Sequence, residues 1–253
     1  MPGPDVLIFD LFGTLVFFDD SRVPTMEVAG RRVPMTVAGL PGLLCEFLPG
    51  GDLLGFLREL RRVSADIADR KRREGIEIAT AVRFETTLRA LGATPAAAAA
   101  GASRMAALHM DTLARAVVCP PGRAELLRRL ARSYRLALLS NFDDGVTARR
   151  VLAEAGIASY FDVIVISEEE GLRKPSRELF ERTCTRLAVP ASDCLYIGDT
   201  LVEDIEGATG AGLSALWVRS AAARDTAPDA AVASPAAGII EDVDALPAWL
   251  AGR

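Results

Sequence analysis

Short apolar runs that end in polar residues recur along the chain, at Val6–Phe9, 136–139, Val163–Ile166, 195–197 and 215–218. Each is too short for a helix of ordinary length, is enriched in branched residues and is bounded by turn-forming or charged residues. That pattern marks a buried strand. Beyond residue 118, segments with helical periodicity separate these runs. Parallel strands need long crossovers, and helices supply them, so the alternation predicts an α/β fold with a parallel sheet covered on both faces. The first run ends at Asp10, and Gly13 and Thr14 then mark a turn.

The alternation breaks between the first and second runs. From about residue 17 to residue 118 the sequence carries long helical patterns, such as Leu53, Leu57, Leu60, Val63 and Ile67, and no apolar run of the buried-strand type. The expected organisation is therefore a core domain built from residues 1–16 and 119–253, with a mainly helical domain, 17–118, inserted into it. Thr94-Pro95 is a helix start, since Pro suits the first turn, and the alanines at 96–100 fill the helix that follows. Arg70, Lys71, Arg72 and Arg73 suit the negative end of a helix dipole and read as a solvated helix end. Cys119-Pro120-Pro121-Gly122 returns the chain to the core, with a new helix from Arg123. Residues 220–237 lack periodicity and read as loop and edge structure before a short apolar helix at 246–250.

Composition narrows the function. A formal net charge of -5 and a pI near 5.1 give no broad positive field for a polyanion, which argues against nucleic acid as a partner. The four cysteines show no paired spacing, the pattern of free thiols in a cytoplasmic protein. No apolar run approaches the roughly 20 residues needed to span a bilayer, so no membrane partner is expected. Lysine occurs twice, at Lys71 and Lys174, among 29 basic residues; Lys174 thus stands where arginine was not used.

Ligands of open α/β folds gather at the C-terminal ends of the strands. Those ends carry Asp10, the pair Ser140-Asn141, the segment 168–174, and Asp199 with Asp204. Three carboxylates that would repel one another make sense around a hard divalent cation, and magnesium suits them because it accepts one or two carboxylates and also binds phosphate oxygens. With a phosphoryl group at this edge, Lys174 can neutralise charge on Asp10 and on the substrate, while Ser140 and the Asn141 amide donate hydrogen bonds.

Ile-Phe-Asp-Leu-Phe-Gly-Thr-Leu at 8–15, Leu-Leu-Ser-Asn at 138–141, Gly-Leu-Arg-Lys-Pro at 171–175 and Ile-Gly-Asp-Thr-Leu-Val-Glu-Asp at 197–204 resemble, in order, the motifs of the haloacid dehalogenase-like (HAD) hydrolases. The resemblance spans the chain and implies a Rossmann-like core with a helical cap inserted after the first motif. It further implies a hydrolase of small, phosphorylated substrates, with Asp10 as nucleophile and an aspartyl intermediate. Thr14, Ser140, Asn141 and Lys174 would position the transferred group. Magnesium would be held by Asp10, Asp199, Asp204 (directly or through water) and the backbone carbonyl of Phe12.

One position departs from the phosphatase pattern. Two residues after the nucleophile, where those enzymes usually carry an acid/base Asp, stands Phe12, which can neither give nor accept a proton. An aromatic residue there is similar to the 2-haloacid dehalogenases, which attack carbon; Asp199 and Asp204 argue instead for a retained metal. Three readings follow: a magnesium-dependent phosphatase-like hydrolase suited to good leaving groups, a metal-independent dehalogenase-like enzyme, or a phosphate-binding regulatory protein without turnover. Lys71, the lysine of the cap, is a candidate for the Schiff-base role that a cap lysine plays in phosphonatases. His109, the single histidine, reads as a packing residue, as do Phe17, Phe18 and Trp217.

Overall fold

The computed structural model describes residues 3–28, 30–219 and 234–252. It divides into two compact units: the chain up to Phe17 together with the chain from Val118 onward, and the intervening Phe18–Val117.

The first unit is built on a parallel sheet. Its strands are β1 (Val6–Phe9), β6 (Arg135–Ser140), β7 (Val163–Ile166), β8 (Cys194–Gly198), β9 (Ser214–Val218) and β10 (Gly238–Ile240), in the order β10-β9-β8-β1-β6-β7. Every pair is parallel. The strands form because their residues are apolar on both faces: all four residues of β1 and all five of β8 are buried. On one face Val6, Ile8, Ala137, Leu139 and Tyr196 pack with Leu179, Phe180 and Leu187 of the helix α8 (Arg177–Leu187). Burying each such side chain stabilises the fold by roughly 1.5–3 kcal/mol. From β1 the chain builds outward through β6 and β7, then returns to β1's other side with β8. Strand order therefore reverses at the β1/β8 boundary, where the crevice of an open α/β sheet lies. Phe9 is level with Leu138 on one side and Ile197 on the other, so these strands end together. The α/β class, the parallel sheet and the helix from Arg123 (α5, Arg123–Leu130) agree with expectation. Of the stretch 220–237, residues 220–233 lie outside the described residues.

The second unit is mainly helical, with α1 (Pro41–Phe47), α2 (Leu53–Glu74), α3 (Thr80–Ala90) and α4 (Pro95–Ala116). Asp52 starts α2 by accepting hydrogen bonds from the Leu54 and Gly55 amides, and Phe56, Leu60 and Val63 fall on its buried face. Thr94 caps α4, with Pro95 in its first turn as expected. Phe56, Leu60, Phe84, Leu88, Ala102 and Met105 share one core. A hairpin of β3 (Thr25–Val28) and β4 (Arg31–Pro34) was not foreseen. β3 alternates exposed and half-buried residues, β4 is exposed except at Val33, and neither contains a fully buried residue, so they leave no apolar run in the sequence. Lys71 corrects the expectation of a uniformly solvated helix end: its side chain is 11% exposed and its ammonium lies 2.6 Å from Glu77, itself only 2% exposed. Arg70, Arg72 and Arg73 of the same turn are exposed. His109 is buried and packs edge-on to Phe84 at 5.7 Å, the packing role expected of it. Among the described residues no helix is long and apolar enough to cross a membrane, and all four cysteines are free thiols.

Candidate active site

Asp10 follows the last residue of β1, and its amide donates to the Ile197 carbonyl, which ties the end of β1 to β8. One step beyond β8 stands Asp199, and a π-helical turn at Leu201–Glu206 then delivers Asp204. That wider turn, unusual in proteins and frequent at functional sites, is closed on itself: the Thr200 amide donates to Asp204 Oδ2 at 2.9 Å. Two glycines allow the acids to approach the backbone. A Cβ on Gly13, which has φ +87°, would lie 2.4 Å from Asp199 Oδ2, and one on Gly198 would lie 2.5 Å from the Asp204 carboxyl carbon. Only glycine fits either place.

Lys174 joins these elements. Its ammonium donates to Asp10 Oδ1 at 2.8 Å, Asp204 Oδ1 at 2.6 Å and the Tyr196 hydroxyl at 2.7 Å. The hydroxyl in turn donates to the Leu139 carbonyl at 2.9 Å. A lysine that is only 1% exposed thus uses all three of its protons. Its main chain is fixed as well, because Asn141 donates through Nδ2 to the Lys174 carbonyl and accepts from the Lys174 amide at Oδ1. The same Nδ2 reaches Glu203, which is paired with Arg173.

Charge is unevenly balanced in this cluster. Burial, reinforced by Asp204 and Asp199 and opposed by Lys174, raises the Asp10 carboxyl to about 7. Burial, with Asp204 next, raises Asp199 to about 6. Burial pulls Lys174 down, but Asp10 and Asp204 outweigh it and hold the ammonium above its ordinary range. One ammonium therefore faces three acids whose ligand atoms lie within 4.8 Å of one another. The donors are all hard oxygens, the kind magnesium takes. Asp204 already spends Oδ1 on Lys174 and Oδ2 on Thr200, whereas Asp10 and Asp199 keep oxygens for a cation.

The remaining expected residues are placed as follows. Ser140 ends β6 and Thr14 lies in the loop after β1; both side-chain oxygens are buried and have no hydrogen-bond partner among the described residues, the condition of groups suited to a polar ligand. Phe12 stacks on Phe142 with ring centroids 4.5 Å apart. Trp217, expected as packing, also donates from Nε1 to the Asp199 carbonyl. Sequence reasoning missed Tyr196, Glu203, Arg173 and Phe142. Of these only Tyr196 left a signal, as a hydroxyl in a strand otherwise wholly apolar, where a buried polar group needs a partner.

Residues 4–212 match the haloacid dehalogenase-like hydrolase family. The chain belongs to that family. Among curated HAD relatives, N-acylneuraminate-9-phosphatase of Mus musculus is 40% identical over 94 residues, 37% of this chain and 38% of that protein. Glyceraldehyde 3-phosphate phosphatase of Methanothermobacter thermautotrophicus is 35% identical over 103 residues, 40% of this chain and 44% of that one. The chain thus spans about two fifths of the length of the curated relatives it matches. Two solved structures share the HAD fold. A 2-haloacid dehalogenase of Pseudomonas syringae aligns with TM-score 0.69 at 22% identity, covering 98% of this chain and 99% of that one. A HAD phosphatase of Thermococcus onnurineus aligns with TM-score 0.62 at 19% identity, covering 98% and 99%.

The raised carboxyls make stability depend on pH. Folded protein binds their protons more tightly than the unfolded chain does, so their contribution is complete below about pH 4 and is lost as pH rises through 6 and 7. In metal-free protein, denaturant unfolding should show stability falling from pH 5 to pH 8. The slope should flatten in Asp10→Asn/Asp199→Asn; an equal slope in that variant would assign the effect elsewhere.

Proposed function

We propose that this HAD hydrolase is a magnesium-dependent phosphatase in which Asp10 attacks a small phosphorylated metabolite and forms an aspartyl-phosphate. The observation that carries this reading is the cluster of Asp10, Asp199 and Asp204 with a single buried ammonium among them. Relatives named as phosphatases support a phosphorylated substrate. Magnesium would be held by Asp10 and Asp199, with the Phe12 carbonyl, and when bound would supply positive charge that keeps both acids ionised and stabilises the phosphoryl oxygens.

The chain's own groups do the rest. Lys174 fixes one oxygen of Asp10 and leaves the other to attack phosphorus; the bond from phosphorus to the leaving oxygen breaks as the new bond forms. Thr14 and Ser140 offer hydroxyls to the transferred group, and Asn141 keeps Lys174 in position through the two bonds to its main chain. Asp204 serves chiefly to hold Lys174. Water then attacks the aspartyl-phosphate at phosphorus, releasing inorganic phosphate and restoring the Asp10 carboxylate.

Phe12 sets the limit of this chemistry. Stacked on Phe142, it offers the leaving oxygen no proton, and general acid help is worth about 10²–10⁴-fold. Substrates whose leaving groups depart without protonation are therefore favoured. The same aromatic pair supports a second reading, attack at carbon on a haloacid, which release of chloride from 2-chloropropionate without metal would reveal.

Two outcomes test the first reading. Magnesium at a hundredfold excess over its dissociation constant should stabilise the folded protein by roughly 2.7 kcal/mol, and Asp199→Ala should remove that gain; a melting temperature indifferent to magnesium would contradict it. Phe12→Asp should raise hydrolysis of alkyl phosphates at least tenfold more than that of para-nitrophenyl phosphate, whose aryl leaving group needs less help. An unchanged ratio, with the new carboxylate seen in the site, would contradict the missing-acid account.

A further inference from the structure

The helical unit contains a groove of about 720 Å³ lined entirely by its own residues. That is the size of an ordinary small-molecule site. Val33 of β4 and Leu57 and Leu60 of α2 give it an apolar floor, while Arg31, Arg58 and Arg61 bring guanidinium groups to it. Among the described residues no carboxylate lines it.

Of the four arginines of α2 outside the groove, Arg62, Arg70 and Arg72 are ion-paired and Arg73 is not. On the solvent side Arg62 pairs with Glu59 and Asp66, Arg70 with Glu74, and Arg72 with Asp69. The side chains of Arg58 and Arg61, three residues apart on α2, make no ion pair or hydrogen bond with any described residue, and neither does that of Arg31, which also lines the groove. Arg31 of β4 and Arg58 and Arg61 of α2, unpaired around an apolar floor, present a concentrated positive charge to whatever enters.

We propose that this groove binds a small amphiphile with an aliphatic chain and a carboxylate head. The chain covers Leu57, Leu60 and Val33, and the two coplanar oxygens of the head match the fork of a guanidinium, which can hold them through two parallel hydrogen bonds.

The test uses the full-length protein and decanoate, below its micelle concentration, in isothermal titration calorimetry. Saturable binding at one site per chain is expected, and Arg58→Gln/Arg61→Gln should weaken it roughly tenfold for each arginine replaced. Decyltrimethylammonium, with the same chain and the opposite charge, should not compete. Both substitutions lie at exposed positions; if the double variant failed to fold, Arg58→Gln and Arg61→Gln made singly would each be expected to show the tenfold loss. Absence of saturable decanoate binding, equal binding of the cationic amphiphile, or undiminished affinity in the variants would overturn the proposal.

Discussion

The buried ammonium of Lys174 is the interaction on which the site depends. It reaches from the loop after β7 to the end of β1, to Tyr196 within β8 and to the π-helical turn that follows β8. A buried charge is costly unless it is paired and its protons are all used, and removing one member of a buried pair typically costs about 3–5 kcal/mol. Here the three protons find two carboxylates and a phenol, and Asn141 fastens the lysine's own backbone. The convergence of three strand ends on one point is thus enforced by electrostatics as well as by the sheet's register.

Such an arrangement leaves charge unsatisfied by design. Asp10 and Asp199 are both pushed well above the ordinary carboxylate range because burial and neighbouring acids outweigh the single ammonium. The unpartnered hydroxyls of Thr14 and Ser140 are a second deficit of the same kind. A divalent cation and a phosphoryl group would meet these needs together, the cation through oxygen donors and the phosphoryl oxygens through the hydroxyls. Phe12, in contrast, stacks on Phe142 and carries no group that can give or accept a proton.

Much of this was legible in the sequence because it follows from the two strongest local signals. Short apolar runs alternating with helical periodicity fixed the sheet, and a polar residue directly after such a run has to emerge at the sheet's C-terminal edge, which located Asp10, Ser140 and Asp199. Lys174 was singled out by composition, as a lysine in an arginine-rich chain. What stayed hidden depends on contacts between distant segments. The Asn141 carboxamide bridges 33 residues to Lys174 and 62 to Glu203, and no local spacing encodes either partner. The β3–β4 hairpin escaped notice because neither strand is buried, and Lys71 was read with its exposed neighbours because Glu77, which buries with it, lies beyond the end of its helix.

The account turns on which atom Asp10 attacks. A single turnover of para-nitrophenyl phosphate in heavy-oxygen water, with magnesium and enzyme in excess, separates the possibilities by mass spectrometry. If Asp10 forms an aspartyl-phosphate that water opens at phosphorus, the heavy oxygen appears in inorganic phosphate, and an early quench shows a phosphoryl group on the peptide containing Asp10. Absence of that phosphoryl group, or heavy oxygen incorporated into the Asp10 carboxyl, would contradict it.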